Sequence, residues 1–203
     1  MTIKTIIFDL GGVVVPECEN FILNEFAKYL GITRQKLDKM IKRSKPRATS
    51  GKVTLLHLCE RVVKKTKKDI TPEQALEFYV NEYKKSSSSR DKDVVELINK
   101  LKRNYFVVCL TNTEVEIANF NKEIGLFNMF HMAYISTELK TRKPKKKIYK
   151  AVLKDLGDKP NEVLFIDDNQ SYIDVANIIG MNTILYTDCD QLIKELEIHS
   201  VKL

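Results

Sequence analysis

The chain has 203 residues, with 34 Lys and Arg against 27 Asp and Glu, a formal net charge of +7, and 43% hydrophobic and 30% charged residues. Such a composition describes a soluble globular protein with one sizeable core, or a core plus a modest insertion. It excludes a membrane-spanning bundle, because no apolar stretch is long enough to cross a bilayer.

The start of the chain lacks a basic n-region and a small-residue cleavage site, so no secretory signal is expected and the protein reads as cytoplasmic. The four cysteines, at 18, 59, 109 and 189, form no C-x-x-C pair and read as free thiols of a reducing compartment. Cys109 falls in an apolar run and belongs to the core, while Cys18 follows the first loop closely enough to line a site.

In chain order, the first predicted element is a strand over Lys4 to Phe8, apolar and β-branched as in a parallel strand covered on both faces. It stops on Asp9, and Gly11 and Gly12 follow almost at once. A carboxylate there stands at the C-terminal end of the strand, where ligands bind in open α/β sheets. The glycines let the backbone turn tightly beside the occupant. An Asp that merely caps a loop is the alternative.

From about Glu17 to Lys85 the pattern turns helical. Phe21, Phe26, Tyr29 and Leu30 form one periodic stretch, and Leu55, Leu58, Val62 and Val63 another. Thr71-Pro72-Glu73-Gln74 resembles a capping box with Pro in the first turn, continued by Phe78 and Tyr83. Ser86 to Ser89 then reads as a linker back into the core. The expected organisation is a catalytic core over 1–15 and 88–203, with a helical cap over 16–87 inserted after the first strand and placed to cover Asp9.

Beyond the linker, strand and helix alternate. Helices are expected over Asp91 to Lys102, Lys146 to Leu156 and Ser171 to Ile179, the last stopped by Gly180. Strands are expected over Tyr105 to Leu110, His131 to Ile135, Val163 to Ile166 and Asn182 to Tyr186. This alternation implies a parallel sheet with right-handed crossovers. The fold class is therefore α/β, a Rossmann-like three-layer core around a central parallel sheet with an inserted α-helical cap.

Chemistry-bearing residues gather at the ends of these strands. Leu110 leads into Thr111-Asn112-Thr113, Thr141-Arg142-Lys143-Pro144 leads into a helix, and Ile166 leads into Asp167-Asp168-Asn169. Singly, these read as a turn, a solvated loop and a loop. Together, each following a strand, they point to one site. Adjacent carboxylates at the end of an apolar strand repel unless a cation relieves them. Mg²⁺, which takes oxygen ligands from a few carboxylates, a phosphate and waters, is the natural candidate.

These stretches (FDLGGV from Phe8, LTNT from Leu110, KPxxxIY from Lys143 to Tyr149, FIDDN from Phe165 with Ala176 and Gly180-Met181) resemble the haloacid dehalogenase superfamily of hydrolases, essentially end to end. The likeness is greatest to its branch of sugar-phosphate phosphatases and epoxide hydrolase phosphatase domains. The resemblance implies an Asp9 nucleophile that forms an aspartyl-phosphate and ligates Mg²⁺, with the Gly11 carbonyl as a further ligand. It implies that Thr111 and the amide of Asn112 hold phosphate oxygens. Lys143 would neutralise charge, and Asp167 and Asp168 would anchor the metal.

There are two departures. Most phosphatases of that superfamily carry a second Asp, for proton transfer, two positions after the nucleophile; here that position is Gly11. Loss of such a group typically costs about 10²–10⁴-fold in rate. Glu17 and Glu19 are substitutes only in that they follow the loop. The other departure is Tyr172, where relatives often have Asn or Asp.

The expected function is a Mg²⁺-dependent phosphatase for a small phosphorylated metabolite. A catalytically weak protein that keeps the fold to bind a phosphorylated ligand or partner is the alternative. A dehalogenase would not need Asp167 and Asp168, and a mutase would want the carboxylate missing at Gly11. A phosphonatase would want a poised cap lysine, for which Lys36, Lys39 and Lys52 are available. The basic runs Lys64-Lys65, Lys67-Lys68 and Lys145 to Lys147 carry no nucleic-acid motif, so neither nucleic acid nor membrane is an expected partner. Lys145 to Lys147 are compatible with a substrate bearing more than one anionic group, or with a solvated helix start. The oligomeric state is not encoded in any readable motif.

Overall fold

The first strand, β1 (Thr5–Phe8), is buried along its whole length. Its Ile6 and Phe8 point into one apolar cluster and its Ile7 into another. This alternation follows from the two-residue period of a strand and requires cover on both faces. β2 (Phe106–Thr111) and β4 (Val163–Asp167) flank it, and β3 (Met132–Ile135) and β5 (Asn182–Leu185) form the edges. All neighbours pair in parallel, in the order β3-β2-β1-β4-β5. The computed structural model describes residues 2–87 and 89–203.

Helices α1 (Glu19–Tyr29), α2 (Arg34–Ile41), α3 (Lys45–Ala48), α4 (Leu55–Val63) and α5 (Pro72–Ser86) lie between β1 and the rest of the sheet in sequence. They are followed by α6 (Lys92–Leu101), α7 (Val115–Glu123), α8 (Lys146–Leu156), α9 (Gln170–Ile179) and α10 (Cys189–Ile198). α6 and α10 cover the face bearing Ile6 and Phe8, through Val94, Leu97, Ile98, Leu192 and Leu196. α8 and α9 cover the other, through Ile148, Tyr149, Val152, Ile173 and Ala176. The three-layer α/β core expected from the sequence is what forms. No helix among the described residues is long and apolar enough to cross a membrane.

The helices from α1 to α5 build a separate apolar cluster around Phe26, Leu30, Leu37, Leu55, Leu58 and Val62, which Ile117 of α7 joins. Phe26 lies edge-on to Tyr79 at 5.5 Å between ring centres, and Tyr29 stacks on Phe78 at 4.1 Å. The capping box before α5 forms as expected: Gln74 N–H donates to Thr71 Oγ1 at 3.2 Å, and Thr71 N–H donates to Gln74 Oε1 at 2.8 Å.

The serine run differs from expectation. Ser86 completes α5, and the Ser87 hydroxyl donates back to the Tyr83 carbonyl at 2.8 Å, so the helix consumes half of the supposed linker. Serine satisfies helix-end carbonyls well, which a purely compositional reading overlooks. Ser88 lies outside the described residues.

Because Phe26 is fully buried in the helical cluster, Phe26→Ala leaves a cavity with little means of collapse. A loss of about 3–5 kcal/mol is expected, read from urea unfolding. A loss below about 1 kcal/mol would mean that this cluster is loosely packed.

Candidate active site

The sheet order brings the loops after β1, β2 and β4 together. β1 sits in the centre; the chain runs outward through β2 and β3 on one side, then crosses back to β4 and β5 on the other, which opens a crevice at the C-terminal strand ends. Phe8 pairs with Cys109 on one side and Ile166 on the other, so the residues that follow stand side by side. Asp9 extends the ladder by one bond, its N–H donating to the Ile166 carbonyl at 2.9 Å. Its Oδ1 accepts from the Leu10 N–H at 2.7 Å. Thr111 ends β2 and Asp167 ends β4, both buried.

Lys143 reaches this point from the loop before α8. Its Nζ lies 2.8 Å from Asp9 Oδ1 and 2.6 Å from Asp167 Oδ2, with no solvent exposure at all. The Asn112 side chain positions that loop by bonding the Lys143 backbone in both directions. Its Nδ2 donates to the Lys143 carbonyl at 3.0 Å, and its Oδ1 accepts from the Lys143 N–H at 2.9 Å.

Tyr172 has a clear place here. Its ring faces Lys143 Nζ at 5.2 Å, and its hydroxyl accepts from Asn112 Nδ2 at 3.3 Å and Arg142 Nη2 at 3.4 Å. The aromatic ring thus stabilises the lysine cation and braces its loop, work a small amide at this position would not do.

Asp9, Asp167 and Asp168 each offer a carboxylate oxygen, and these oxygens lie within 4.8 Å of one another. One ammonium pairs with two of the three carboxylates. Burial opposes the charged form of Lys143, but Asp9 and Asp167 outweigh it and hold the lysine above its ordinary range. Burial raises Asp167, reinforced by Asp9, and Lys143 only partly offsets this. Asp168 is pushed up to about 6 by partial burial, then by Asp9 and Glu17. The cluster therefore retains more negative charge than its lysine can neutralise. Converging hard oxygen donors with an unmet demand for positive charge fit a divalent cation such as Mg²⁺.

The two glycines differ in what they require. Gly12 has φ +78°, and a Cβ there would collide with the Asp168 carboxylate. Only glycine lets the loop pass so close. At Gly11 a Cβ would meet, among the described residues beyond its chain neighbours, just one atom, Glu17 Oε2, at 3.9 Å, an ordinary contact. Position 11 thus has room for a side chain, and Glu17 stands at its edge.

A cavity of about 760 Å³ opens over the cluster, lined on one side by Asp9, Gly11, Thr111, Asn112 and Asp168. Residues from the helical segment close the other side, among them Cys18, Glu19, Arg34, Lys39, Lys42 and Lys45. Asp9, Gly11, Thr111, Asn112, Lys143, Asp167 and Asp168, the residues assigned to catalysis and metal from the sequence, are all in this neighbourhood. Lys143 and Asp167 lie directly beneath Asp9, and the others line the cavity. Cys18 also lines it, but burial pushes its thiol up to about 11, so it is no thiolate nucleophile.

Lys145 to Lys147 are exposed and do not line the cavity, nor do Lys36 and Lys52, so the helix-start explanation of the first three is the one that fits. Sequence reasoning passed over Glu114, a buried carboxyl that burial raises, and the Lys45–Glu19 ion pair. Neither carries a motif. Both arise where α1, α3 and the start of α7 face one another across the cavity.

Comparison with known proteins agrees with this geometry. A family model for haloacid dehalogenase-like hydrolases matches residues 3–178. The chain is 26% identical over 214 residues to bifunctional epoxide hydrolase 2 of Rattus norvegicus, covering 97% of this chain but spanning only 39% of that protein. It is 26% identical over 197 residues to D-ribitol-5-phosphate phosphatase of Bacteroides thetaiotaomicron, covering 89% of this chain and 90% of that one. In fold it is similar to a HAD family enzyme of Bacteroides thetaiotaomicron solved with magnesium and inorganic phosphate. The TM-score is 0.74 at 23% identity, over 91% of this chain and 94% of that chain.

The raised carboxyl of Asp168 has a measurable consequence. With its folded value near 6, above the ordinary 3.8, the native state binds more protons than the unfolded state between those limits. Its contribution to stability therefore falls as pH rises through that window. In EDTA, the difference in unfolding midpoint between Asp168→Asn and wild type should grow from about pH 4 to about pH 6 in favour of the variant. A difference that does not change with pH would show that Asp168 carries no excess charge in the fold.

Proposed function

The chain belongs to the haloacid dehalogenase-like hydrolases, and we propose that within that family it is a Mg²⁺-dependent phosphatase acting through Asp9 on a small phosphorylated metabolite. The observation that carries this reading is the charge imbalance at the strand ends, three converging carboxylates against one buried lysine. D-ribitol-5-phosphate phosphatase as a relative over nearly the full length supports the same reading.

In this account Asp9 is the nucleophile. Asp9, the Gly11 carbonyl, Asp167 and Asp168 would hold Mg²⁺. When bound, the ion supplies positive charge that offsets repulsion between the Asp9 carboxylate and a phosphate dianion. Lys143 does the same from beneath, held by Asn112 and Tyr172 so that it need not reorganise during reaction. Thr111 and the Asn112 backbone amide bind phosphate oxygens at the end of β2. Asp9 attacks phosphorus as the bond to the leaving oxygen breaks, and water then hydrolyses the resulting aspartyl-phosphate.

The segment from α1 to α5 acts as a cap over 16–87, the core comprising 1–15 and 88–203. Its Lys39, Lys42 and Lys45 face the cavity and meet the part of the substrate beyond the phosphate. A binding scaffold without turnover, which Gly11 alone would suggest, is not favoured, since Asp9, Lys143, Asp167 and Asp168 are all present in the cluster. A dehalogenase would leave Asp168, which the lysine does not reach, without a purpose.

The test is phosphate release from a panel of sugar phosphates, nucleotides and p-nitrophenyl phosphate. Mg²⁺-dependent release that EDTA stops and Asp9→Asn reduces to background is expected. No release from any ester by folded wild-type protein, or release retained by Asp9→Asn, would refute the reading.

A further inference from the structure

Glycine at position 11 leaves the reaction without an evident proton donor, yet the structure places a carboxyl where one would act. Glu17 Oε2 lies 3.9 Å from the point at which a Cβ on Gly11 would stand. Among the described residues, no other atom outside the immediate chain neighbours comes within 4 Å of that point. Glu17 lines the same cavity as Asp9, Gly11, Thr111 and Asp168. Its position is held, because Glu17 Oε1 accepts from the Glu19 N–H at 2.8 Å while Oε2 is the oxygen turned toward Gly11. The backbone between them is also fixed: Gly12 N–H donates to the Val15 carbonyl at 2.8 Å, and Val15 N–H to the Leu10 carbonyl at 3.0 Å. This tight turn folds the chain back so that residue 17 returns over residue 11.

We propose that Glu17 is the general acid and base of this enzyme, supplying from six residues downstream the carboxyl that position 11 lacks. The inference rests on the phosphatase reading given above. In the first step Asp9 forms a bond to phosphorus, the bond from phosphorus to the ester oxygen breaks, and the departing oxygen takes the Glu17 proton. In the second, water attacks the aspartyl-phosphate and gives a proton to the Glu17 carboxylate. The bond from phosphorus to Asp9 then breaks, releasing inorganic phosphate and restoring both carboxyl groups. The longer glutamate chain, approaching from beyond the turn, spans the distance that an aspartate at position 11 would cover directly.

The experiment compares wild type, Glu17→Gln and the double variant Gly11→Asp/Glu17→Gln, all with Mg²⁺. Two esters are used: p-nitrophenyl phosphate, whose phenolate leaves unaided, and glycerol phosphate, whose alkoxide needs a proton. Because kcat/KM reports steps through leaving-group departure, Glu17→Gln should lose about 10²–10³-fold on glycerol phosphate and less than about tenfold on p-nitrophenyl phosphate. With p-nitrophenyl phosphate it should also show a burst of nitrophenolate, as aspartyl-phosphate hydrolysis becomes limiting. The open space at position 11 predicts that Gly11→Asp in the Glu17→Gln background restores at least part of the glycerol phosphate activity. Equal loss on both esters, or no loss on either, in a variant that retains the wild-type circular dichroism and unfolding midpoint would overturn the assignment of Glu17 while leaving the phosphatase intact. Wild-type protein inactive on both esters and on the wider panel would overturn the phosphatase reading, and this inference with it.

Discussion

Lys143 sits between two carboxylates, with its ammonium wholly removed from water, and the organisation of the site follows from that arrangement. A buried cation must be paired and its partners must hold their geometry, since breaking such a pair strands a charge in the interior. Asp9 and Asp167 end two neighbouring strands of the sheet, so their spacing is set by the β1–β4 ladder rather than by loop conformation. Asn112 follows β2 and clamps the Lys143 backbone, so all three central strands contribute to a single electrostatic unit. Asp168 then adds a third carboxylate, more exposed than the other two, which the lysine does not reach. The protein thus holds an excess of negative charge at a fixed place and presents it to a cavity.

That excess links stability to chemistry. Burial and mutual repulsion keep the carboxyls of Asp167 and Asp168 above their ordinary range, a standing cost to the fold. A cation bound there would relieve this strain and stabilise the native state, and in the proposed reaction it would offset the repulsion between Asp9 and an anionic substrate through the same interactions. Gly12 belongs to the same design, because its missing side chain is what allows the loop after β1 to lie against Asp168. The helices between β1 and α6 have their own apolar cluster and line the cavity opposite the strand ends.

Much of this could be read in the sequence, for identifiable reasons. The four runs that end in Asp9, Thr111, Asp167 and the loop of Lys143 are apolar and short, and a polar residue breaking such a run is conspicuous. The three-layer core followed from strand–helix alternation, and α8 falls on the expected Lys146 to Leu156. Strand order was not readable, because pairing depends on tertiary contacts and no local pattern encodes it. α2 was missed since only Leu37 and Ile41 are buried in an otherwise charged helix, too thin a periodicity to stand out. α7 buries Ile117, Ala118 and Asn121, a mixture that does not read as an apolar face. Glu17 had no signal beyond following the loop; its return over Gly11 exists only once the Gly12 to Val15 turn has formed. Tyr172, a departure from the family pattern in sequence, gains its reason only in the fold, where its ring faces Lys143.

The claim on which the account turns is that Asp9 receives a phosphoryl group. It is tested most directly by mixing protein, Mg²⁺ and a hydrolysed phosphate ester, quenching with acid within milliseconds, and sequencing the N-terminal peptide by tandem mass spectrometry. The account predicts one added phosphoryl group located on Asp9, absent when Mg²⁺ is chelated. Turnover with an unmodified Asp9 under conditions where the intermediate should accumulate, or with the phosphoryl group on another residue, would contradict it.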